Sequence, residues 1–384
     1  MNPSSPSFDL VLVGGGLQNC LVALATRTHL PSARIAIVER ERALGGNHTW
    51  CFHASDVSDE ARAWLMPLVS AHWNEWEVRF PSYARRFQRG YSAVTSKRMH
   101  DVLSAPEHAE HITFFFGRAA AFVGAHTVLL DDSTCLRAPL VVDARGPSTD
   151  HGSCGYQKFI GLELELKSPS PISTPILIDA DLPQRDGFRF IYVLPLSPFR
   201  LLVEETHFSD TADLGDEQNY RMEILAYAKR AGAQVERIAR TERGVLPLPL
   251  HLENSPKLAG PIIGGFAGGW FHPTTGYSFP VAVRLATHIA KLGSQDPFGE
   301  AWRRLVAEQH RRSRFSMLLN RLLFRATPPS HRRDVFERFH RLPESVIARF
   351  YAHASTSSDR MRILCGRPPR GVSVSRAFRE VVST

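Results

Sequence analysis

The chain has 384 residues, of which 43% are hydrophobic and 22% are charged. This composition excludes a disordered chain, and the length suits two cooperating domains better than one small core. The formal net charge of +8 favours anionic partners such as acidic lipid, nucleic acid or a phosphorylated cofactor.

Cysteine usage and hydropathy narrow the cellular setting. The five cysteines include no Cys-x-x-Cys pair, and an odd number does not fit a full disulfide framework, so a reducing cytosol suits the chain best. The first seven residues lack the charged and apolar regions of a signal peptide, and we find no apolar stretch of about 18 residues. We therefore expect a protein that is soluble or rests on a membrane without crossing it.

A glycine-rich turn near the start connects a predicted strand to a predicted helix. Residues 8–13 form a short apolar run, Gly14, Gly15 and Gly16 follow it, and Leu17 opens a segment with helical character. Glycines at such a turn let the backbone approach a pyrophosphate at the helix N-terminus. An ordinary strand-to-helix turn is the alternative.

A second apolar strand ends at Glu39, near the spacing at which an acid binds the ribose in dinucleotide sites. Asn19 stands where the third glycine of that motif would be, which is a departure from it. Arg40, which follows Glu39, is either a contact to the adenosine phosphates or a surface residue. The whole segment predicts a nucleotide-binding unit.

Two further glycine-rich segments favour FAD over a nicotinamide cofactor. One begins soon after Glu39 and contains Gly46, Asn47, His48 and Trp50. It lies where flavoproteins make further cofactor contacts, although packing is the other explanation for His48 and Trp50.

The last of these segments, 260–292, has the order strand, glycine-rich loop and helix, and contains Gly265, Thr275 and Gly276. Gly265 replaces an acid that is usual at the end of such a strand. Between the segment that contains Gly46 and the segment 260–292, the buried run 138–147 resembles the strand that returns to the nucleotide domain in flavoprotein hydroxylases.

The material between these segments is rich in predicted strands. Residues 72–135 mix aromatic and basic side chains, and residues 156–206 contain several apolar runs of strand length. We expect these insertions to build a substrate domain. Nucleic acid is not expected as a partner, because aromatic residues on such a surface are more often core or the wall of an apolar pocket.

One of these strands, 201–208, ends in two adjacent acids, Glu204 and Glu205. Successive side chains of a strand point to opposite faces, so only one of the two can readily face an internal cavity. Phe190 and Tyr192 on the preceding strand could face the same cavity or belong to the core. Taken alone, the two acids could also meet solvent or Arg200.

The sequence as a whole resembles the flavin-dependent carotenoid cyclases, in particular the bacterial lycopene β-cyclases. Matching segments keep the family's order from residue 14 to residue 369. They are GGGLQN, GGNHTWCFH, YQKFIGLELEL, ILIDA, FRFIYVLPLSPFRLLVEETHFSD, RGVLPLPL, GWFHPTTGYSFPVAVRLA, MLLNRLLF, RLPESVIARFYA and RILCGRPP.

The resemblance implies a fold and a division of the chain. The expected class is α/β, with a Rossmann-type FAD-binding domain, an inserted β-rich substrate domain and a C-terminal helical segment, as in flavoprotein hydroxylases. We assign 1–71, 136–155 and 256–298 to the FAD-binding domain. Residues 72–135 and 156–255 then form the substrate domain, and 299–384 a basic helical region.

The resemblance also implies an activity, the redox-neutral closure of the linear ends of lycopene into β-ionone rings. A proton added to a terminal C=C creates a tertiary cation, a neighbouring double bond attacks it, and another proton leaves. Reduced FAD would lie beside that cation, and NADPH or NADH would serve only to reduce the flavin. A flavin-dependent hydroxylase or reductase acting on an isoprenoid is the alternative, and a carotenoid-binding protein without catalysis is a weaker one.

The site residues follow from the family's motifs. Glu204 is the expected acid–base residue, Glu205 braces or orients it, and His272 at the flavin loop either positions the ring or substrate or only shapes the turn. We expect no metal, because the histidines lack ligand spacing. Cofactor contacts are expected from Gly14, Gly15, Gly16, Leu17, Asn19, Glu39, Arg40, Gly46, Asn47, His48, Gly265, Thr275 and Gly276.

Lycopene is too apolar to reach the enzyme through water, so the chain is expected on the cytoplasmic face of the cell membrane without an obligate protein partner. The segment 302–326 combines many arginines with apolar residues, as a helix at an anionic membrane surface would. A core helix with a solvated basic face is the alternative.

Overall fold

The computed structural model describes residues 7–146, 152–251, 259–293, 296–366 and 371–382. Residues 1–6 lie outside these ranges, and they open the segment that is expected to lack a signal peptide. Pro147, the last residue of the run 138–147, also lies outside them.

The described residues form helices in two parts of the chain. Those before residue 300 alternate with strands, and those after it follow one another. The helices are α1 Leu17–His29, α2 Asp59–Leu65, α3 Ser96–Leu103, α4 Glu217–Arg230, α5 Phe279–Ala290, α6 Glu300–Arg325, α7 Arg332–His340, α8 Glu344–Tyr351, α9 Ser357–Leu364 and α10 Val374–Val382.

The strands lie between residues 10 and 263 and form four sheets. They are β1 Leu10–Val13, β2 Ile35–Glu39, β3 Thr49–His53, β4 Ala71–Trp73, β5 Trp76–Phe80, β6 Tyr83–Phe87, β7 Tyr91–Thr95, β8 Ile112–Phe116, β9 Ala120–Val123, β10 Thr127–Leu130, β11 Cys135–Arg137, β12 Leu140–Asp143, β13 Cys154–Leu166, β14 Ile176–Asp179, β15 Phe188–Ser197, β16 Arg200–Ser209, β17 Val235–Pro249 and β18 Ile262–Ile263.

The glycine-rich turn belongs to a five-stranded parallel sheet of order β18-β12-β1-β2-β8. Every residue of β1 is buried, as expected of a central parallel strand covered on both faces. Leu10 and Leu12 pack with α1 and α5 on one face. Val11 and Val13 pack on the other face, against the small antiparallel sheet β11-β10-β9. Helix α1 therefore starts at the carboxyl end of β1, where such sheets bind nucleotides.

The second large sheet has seven strands in the order β17-β13-β16-β15-β14-β5-β6. Along its interior strand β16, successive side chains point to opposite faces of the sheet. On β16, Leu202 belongs to the core that packs against the C-terminal helices, whereas Leu201 and Val203 belong to the core beneath α4. One face of this sheet therefore turns toward the parallel sheet and the C-terminal helices, and the other is covered by α4.

The sheet topology corrects the predicted domain division. Residues 112–135 were expected in the substrate domain, but β8 pairs with β2 at the edge of the parallel sheet, and β9–β11 cover one face of that sheet. The aromatic run of β8 indicates a strand, but its sequence does not specify which sheet takes it. Strands β5 and β6, in contrast, do join the seven-stranded sheet.

The C-terminal helices pack on the protein, which changes the interpretation of α6. Its apolar residues Trp302, Val306 and Leu323 are buried in the two main cores, and the Phe315 ring lies 5.1 Å from the Arg360 guanidinium carbon. Helix α6 thus fits the alternative, a core helix with a solvated basic face, and the interpretation of segment 302–326 as an interfacial helix stays a prediction. None of the described helices is both long and apolar enough to span a bilayer.

Candidate active site

A cavity of about 780 Å³ lies between the glycine-rich end of the parallel sheet and one face of the seven-stranded sheet. This volume is in the range of pockets that hold a cofactor or a drug-sized ligand. Gly16 of the first turn and Glu204 of β16 both line it. One continuous cavity therefore joins the predicted nucleotide site to the predicted acid.

The first turn presents backbone rather than side chains to this cavity. Gly14 and Gly16 line it, as does Leu17, the first residue of α1. Gly14 has φ of 93°, and a Cβ there would lie 2.8 Å from the Ala144 carbonyl oxygen, so only glycine fits. The N-terminus of α1 has no side-chain cap and no acid in its first turn. Its amide groups and helix dipole therefore favour an anion.

Gly15 and Asn19 support the turn from behind and do not line the cavity. The Gly15 amide donates to Glu39 Oε2 at 2.6 Å. Asn19 Nδ2 donates to the carbonyl oxygens of Val13 and Gly14 at 2.9 and 2.8 Å. Asn19 is fully buried. It therefore closes the turn with its own side chain at the position where the motif has a third glycine, and a direct cofactor contact by Asn19 does not fit this geometry.

At the end of β2, the Glu39 carboxylate lines the cavity beside the turn, and its Oε1 accepts a hydrogen bond from the Glu41 amide at 2.8 Å. Arg40 also lines the cavity, but its side chain is 81% exposed and lies 3.6 Å from Glu41. Glu39 is thus fixed by two backbone amides, while Arg40 is a solvated residue at the rim.

The second glycine segment contributes Gly46, His48 and Trp50 to the cavity wall, but not Asn47. Asn47 Nδ2 donates to the Thr241 carbonyl oxygen at 2.7 Å and so ties this segment to β17. Burial and the nearby Arg240 lower the pKa of His48, so its imidazole is neutral at neutral pH.

The third glycine segment brings Gly265, Thr275 and Gly276 to the cavity, together with Phe279 at the start of α5. Gly265 has φ of 58°, a conformation that suits glycine at the position where related strands carry an acid. Helix α5 also begins without a side-chain cap. Two uncapped helix N-termini therefore face one cavity.

These features fit FAD. The amides at the start of α1 suit a pyrophosphate, and Glu39 lies where a ribose hydroxyl could donate to it. Gln157 also lines the cavity, and its buried Oε1 has no hydrogen-bond partner within the described residues. A ligand rich in donors would satisfy this atom, since buried polar atoms are rarely left unpaired.

Glu204 is the acid at the other end of the cavity. Thr206 Oγ1 donates to its Oε1 at 2.7 Å, and both residues lie on the lining face of β16. Burial and the Glu242 carboxylate raise the pKa of Glu204 to about 8, although the hydrogen bond from Thr206 acts in the opposite direction. The carboxyl group is therefore mostly protonated at neutral pH and able to donate a proton.

Glu205 points to the opposite face and does not line the cavity. It is fully buried, and its Oε1 accepts hydrogen bonds from Arg189 Nε at 2.7 Å and Arg185 Nη2 at 3.0 Å. Burial alone would raise the pKa of Glu205, but the hydrogen bonds from His207 and Arg189 outweigh it and lower this pKa to about 2. Glu205 is a fixed anion, which leaves it the bracing role and not the acid–base role.

His272 also lies outside the cavity, and its placement corrects the expected catalytic role. It is 1% exposed and its ring packs against Phe350 and His353, with centroids 4.7 and 4.5 Å apart. Its Nδ1 accepts a hydrogen bond from the Thr274 amide at 3.2 Å. Burial lowers the pKa of His272 to about 3. The ring is neutral and shapes the turn, which is the alternative that the sequence left open.

Aromatic side chains form the wall around Glu204. Phe190 and Tyr192 of β15 both line the cavity, as does Trp50. Tyr192 Oη lies 3.0 Å from Tyr91 Oη and donates to Cys51 Sγ at 3.2 Å. Faces of aromatic rings stabilise a nearby cation. The wall therefore suits a cationic intermediate kept away from water.

Four residues near Glu204 were not identified from the sequence as site residues. They are Cys51, Tyr91, Thr206 and Glu242. Thr206 could have been found, because it lies two residues from Glu204 on the same face of one strand. The other three lie on β3, β7 and β17, and no pattern in the sequence shows that these strands meet. In the described ranges, no group of acidic, histidine and cysteine side chains could hold a metal ion.

Solved structures share this fold at low sequence identity. The anhydrotetracycline hydroxylase of Streptomyces rimosus aligns with a TM-score of 0.59 and 14% identity, over 90% of this chain and 76% of the hydroxylase. Identity this low shows the fold alone. The shared fold confirms the predicted class, an α/β fold similar to that of flavoprotein hydroxylases with β-rich and C-terminal helical parts.

Similarity to curated relatives extends over nearly the whole chain. The model of the lycopene cyclase protein family matches residues 9–377. The lycopene beta-cyclase of Pantoea ananas is 39% identical over 388 residues, covering 99% of each chain. That of Pseudescherichia vulneris is 38% identical over 382 residues, covering 98% of this chain and 97% of the relative. The chain therefore belongs to the lycopene cyclase family.

Proposed function

We propose that this chain closes the linear ends of lycopene into β-ionone rings without net oxidation. The observation that carries the proposal is the position of the Glu204 carboxyl group, in a cavity that aromatic side chains also line; burial there raises the pKa of Glu204 to about 8. Family membership supports lycopene as the substrate. An acid alone would not suffice in water, because a carbocation there is hydrated at once.

The reaction needs one proton added and one removed. Glu204 donates its proton to the terminal C=C of the substrate, and a tertiary cation forms. The neighbouring double bond attacks this cation, which forms the ring bond and moves the positive charge into the ring. Loss of a ring proton, for which the Glu204 carboxylate is then available as base, restores a double bond and leaves the composition of the carotenoid unchanged.

The aromatic side chains act on the cation, and the hydrogen bond from Thr206 orients the acid. Tyr192 and Phe190 line the cavity together with Glu204, and their rings would stabilise a cation there. Burial raises the pKa of Tyr192 well above its usual range, so this phenol stays neutral and cannot quench the cation as a phenolate. Thr206 holds one oxygen of Glu204 and leaves the other for the substrate.

FAD is the proposed cofactor in its reduced form, with NADPH or NADH as the reductant. Gly14, Gly16 and the start of α1 would hold the pyrophosphate, and Glu39 the ribose. The α5 end, with Gly265, Thr275 and Gly276, would contact the remainder of the flavin. When bound, reduced flavin supplies negative charge that stabilises a nearby cation.

We also propose that the chain binds an anionic membrane surface, on the inner face of the cell membrane in the cytoplasm. Helix α10, not α6, is the element that supports this. Its apolar residues Val374, Phe378 and Val382 are 66%, 70% and 67% exposed and recur every four residues, so they form one apolar stripe facing outward. Glu380 on another face lies 3.4 Å from Arg321 of α6, which holds α10 in that orientation.

The charge of the chain complements such a surface. Its formal net charge is +8, and Arg376 and Arg379 lie within α10 beside the apolar stripe. An amphipathic helix with basic residues and exposed apolar side chains binds at the boundary of anionic headgroups and acyl chains. A C40 hydrocarbon would reach the cavity from that boundary.

The proposal is tested by the product formed from lycopene. The purified protein, with reduced FAD and lycopene in liposomes, is incubated in D2O, and the carotenoid is analysed by mass and absorption spectrum. Cyclisation predicts that each ring exchanges one hydrogen for one deuterium, with Glu204 exchanging its proton with solvent between turnovers, and that the composition is otherwise unchanged. A gain of oxygen or of two hydrogens would instead establish a hydroxylase or reductase, and lycopene bound without conversion would indicate a carotenoid-binding protein.

A further inference from the structure

Glu204 has a second carboxylate near it, and the strand register explains why. Gly161 of β13 is paired with Glu204 of β16 on one side and with Glu242 of β17 on the other. Residues paired across neighbouring strands point to the same face. Glu204 and Glu242 therefore point to the same face of the sheet. They lie on the two strands that flank Gly161, which has no side chain.

Gly161 leaves the space between them open. A Cβ at this position would lie 3.0 Å from Glu242 Cγ and 3.4 Å from Glu242 Oε1. Its own backbone does not require glycine, because its φ lies outside the left-handed region. Gly161 thus serves the packing of Glu242, whose side chain lies over the glycine.

The two carboxyl groups have unequal surroundings. Glu242 is 3% exposed, and Arg240 Nη1 donates to its Oε2 at 2.7 Å, while the Thr49 hydroxyl lies 3.3 Å from the same oxygen. Glu204 forms no ion pair with any described Arg or Lys and accepts from Thr206 alone. The pKa of Glu242 is raised overall, mainly by burial, while Arg240 and Thr49 act in the opposite direction. Because Arg240 contacts Glu242 and not Glu204, a negative charge is better stabilised on Glu242.

Other titratable groups around the pair do not change this assignment. They are Cys51 of β3, Tyr91 of β7, Tyr192 of β15, His48 before β3, Glu163 of β13 and Arg240 of β17. Burial raises the pKa of Cys51 to about 12 and lowers that of His48. The thiol, phenols and imidazole are therefore neutral at neutral pH. Arg240 is shared by Glu163 and Glu242, at 2.9 and 2.7 Å.

We propose that Glu242 is a positioning residue for the reaction: across the gap left by Gly161, its carboxylate keeps the proton of this buried pair on Glu204. Two like charges on the same face of a sheet, separated by one strand and buried in a medium of low polarity, cannot both be present without cost. Arg240 fixes the negative charge on Glu242, so the shared proton resides on the residue that faces the substrate. The arrangement gives two chemically identical groups different roles. This inference rests on the proposed cyclisation only in one respect, namely that the proton held on Glu204 is the one used in the reaction.

The test compares Glu242→Gln with Glu163→Gln. Both remove a carboxylate partner of Arg240, but only Glu242 lies across Gly161 from Glu204. Protonation of Glu204 is followed by the infrared carboxylic acid band that Glu204→Gln removes, and ring formation is measured over the same pH series. For Glu242→Gln we expect the pH midpoint of the infrared band and that of ring formation both to fall by about one pH unit or more. The loss of ring-forming activity should appear in kcat rather than KM. For Glu163→Gln we expect little shift.

An unmoved midpoint in Glu242→Gln, or an equal shift in Glu163→Gln, would overturn the proposal. Glu242→Asp keeps the charge and should retain most of the wild-type midpoint. If Glu242→Gln does not fold, Glu242→Leu and Glu163→Leu, which also remove the charge, are compared instead: a fall of the midpoint confined to Glu242→Leu supports the pair, and an unmoved midpoint contradicts it. The infrared band needs no lycopene, so it tests the pair even if the wild-type chain forms no ring.

Discussion

Glu204 and Glu205 are neighbours in the chain, yet their side chains lie on opposite faces of the seven-stranded sheet. Glu204 lines the cavity with its pKa raised to about 8, whereas Glu205 is fully buried beside Arg189 with its pKa lowered to about 2. The pleat of one strand thus separates an acid whose pKa is raised from an acid whose pKa is lowered.

The anion should matter for folding. Replacing Glu205 by Gln leaves the Arg189 guanidinium, which is 2% exposed, with only Glu223 as a charged partner. Removal of one member of a buried ion pair is costly, so we expect the free energy of unfolding to fall by about 3 kcal/mol. Urea unfolding measures this, with Glu204→Gln as the control, because Glu204 forms no ion pair with any residue that the structure describes. Equal midpoints for the two variants would contradict the assignment.

The proton donor should make the reaction pH-dependent. Because the pKa of Glu204 is raised to about 8, its acid form is present below that pH and is lost as pH rises through it. We expect the rate of ring formation at saturating lycopene to decline on the alkaline side with a midpoint near this pKa. A rate that stays constant across that range, in a protein that remains folded and flavin-bound, would show that another group supplies the proton.

The nucleotide end can be tested by charge reversal. Glu39→Arg places a cation where the ribose is expected and removes the acceptor of the Gly15 amide, so FAD affinity should fall by about tenfold or more. Titration of the apoprotein with FAD measures the affinity, and thermal unfolding without FAD shows whether the fold survives. The control is Arg40→Ala at the exposed rim, where a small effect is expected. Full occupancy of Glu39→Arg at low FAD concentration would reject the site.

The membrane contact should depend on α10. Phe378→Asp puts a charge in its exposed apolar stripe, and we expect binding to anionic liposomes to be lost without a change in folding. Phe122→Asp is the matched control, because Phe122 is also an exposed aromatic residue, 57% accessible, but lies on β9 far along the chain from α10. Flotation measures both. Equal flotation of Phe378→Asp and wild type would exclude α10, and loss in both variants would exclude a specific helix.

Much of the fold could be predicted from local patterns. The order of strand, glycine turn, helix and strand ending in Glu39 indicates a parallel nucleotide-binding unit, because each step is encoded within a few residues. Alternation along β16 limits the cavity to one of two adjacent acids. Both inferences need only the geometry of a single element and its neighbour.

What could not be predicted depends on contacts between distant parts of the chain. The assignment of β8 to the parallel sheet depends on its pairing with β2, and the meeting of Glu242 with Glu204 depends on the register of three strands. His272 lies beside a glycine-rich loop in sequence, but its ring packs against Phe350 of α8 and against His353. Local sequence specifies the turn and not the direction of that ring.

The most direct test of the account is ring formation by Glu204→Gln and Glu205→Gln at equal content of folded, flavin-bound protein. Glutamine keeps the size of the side chain and removes the titrating group. We predict that Glu204→Gln loses about a hundredfold or more of the activity, as expected for loss of a general acid, and that Glu205→Gln retains most of it once its lower stability is allowed for. Wild-type activity in Glu204→Gln would contradict the account.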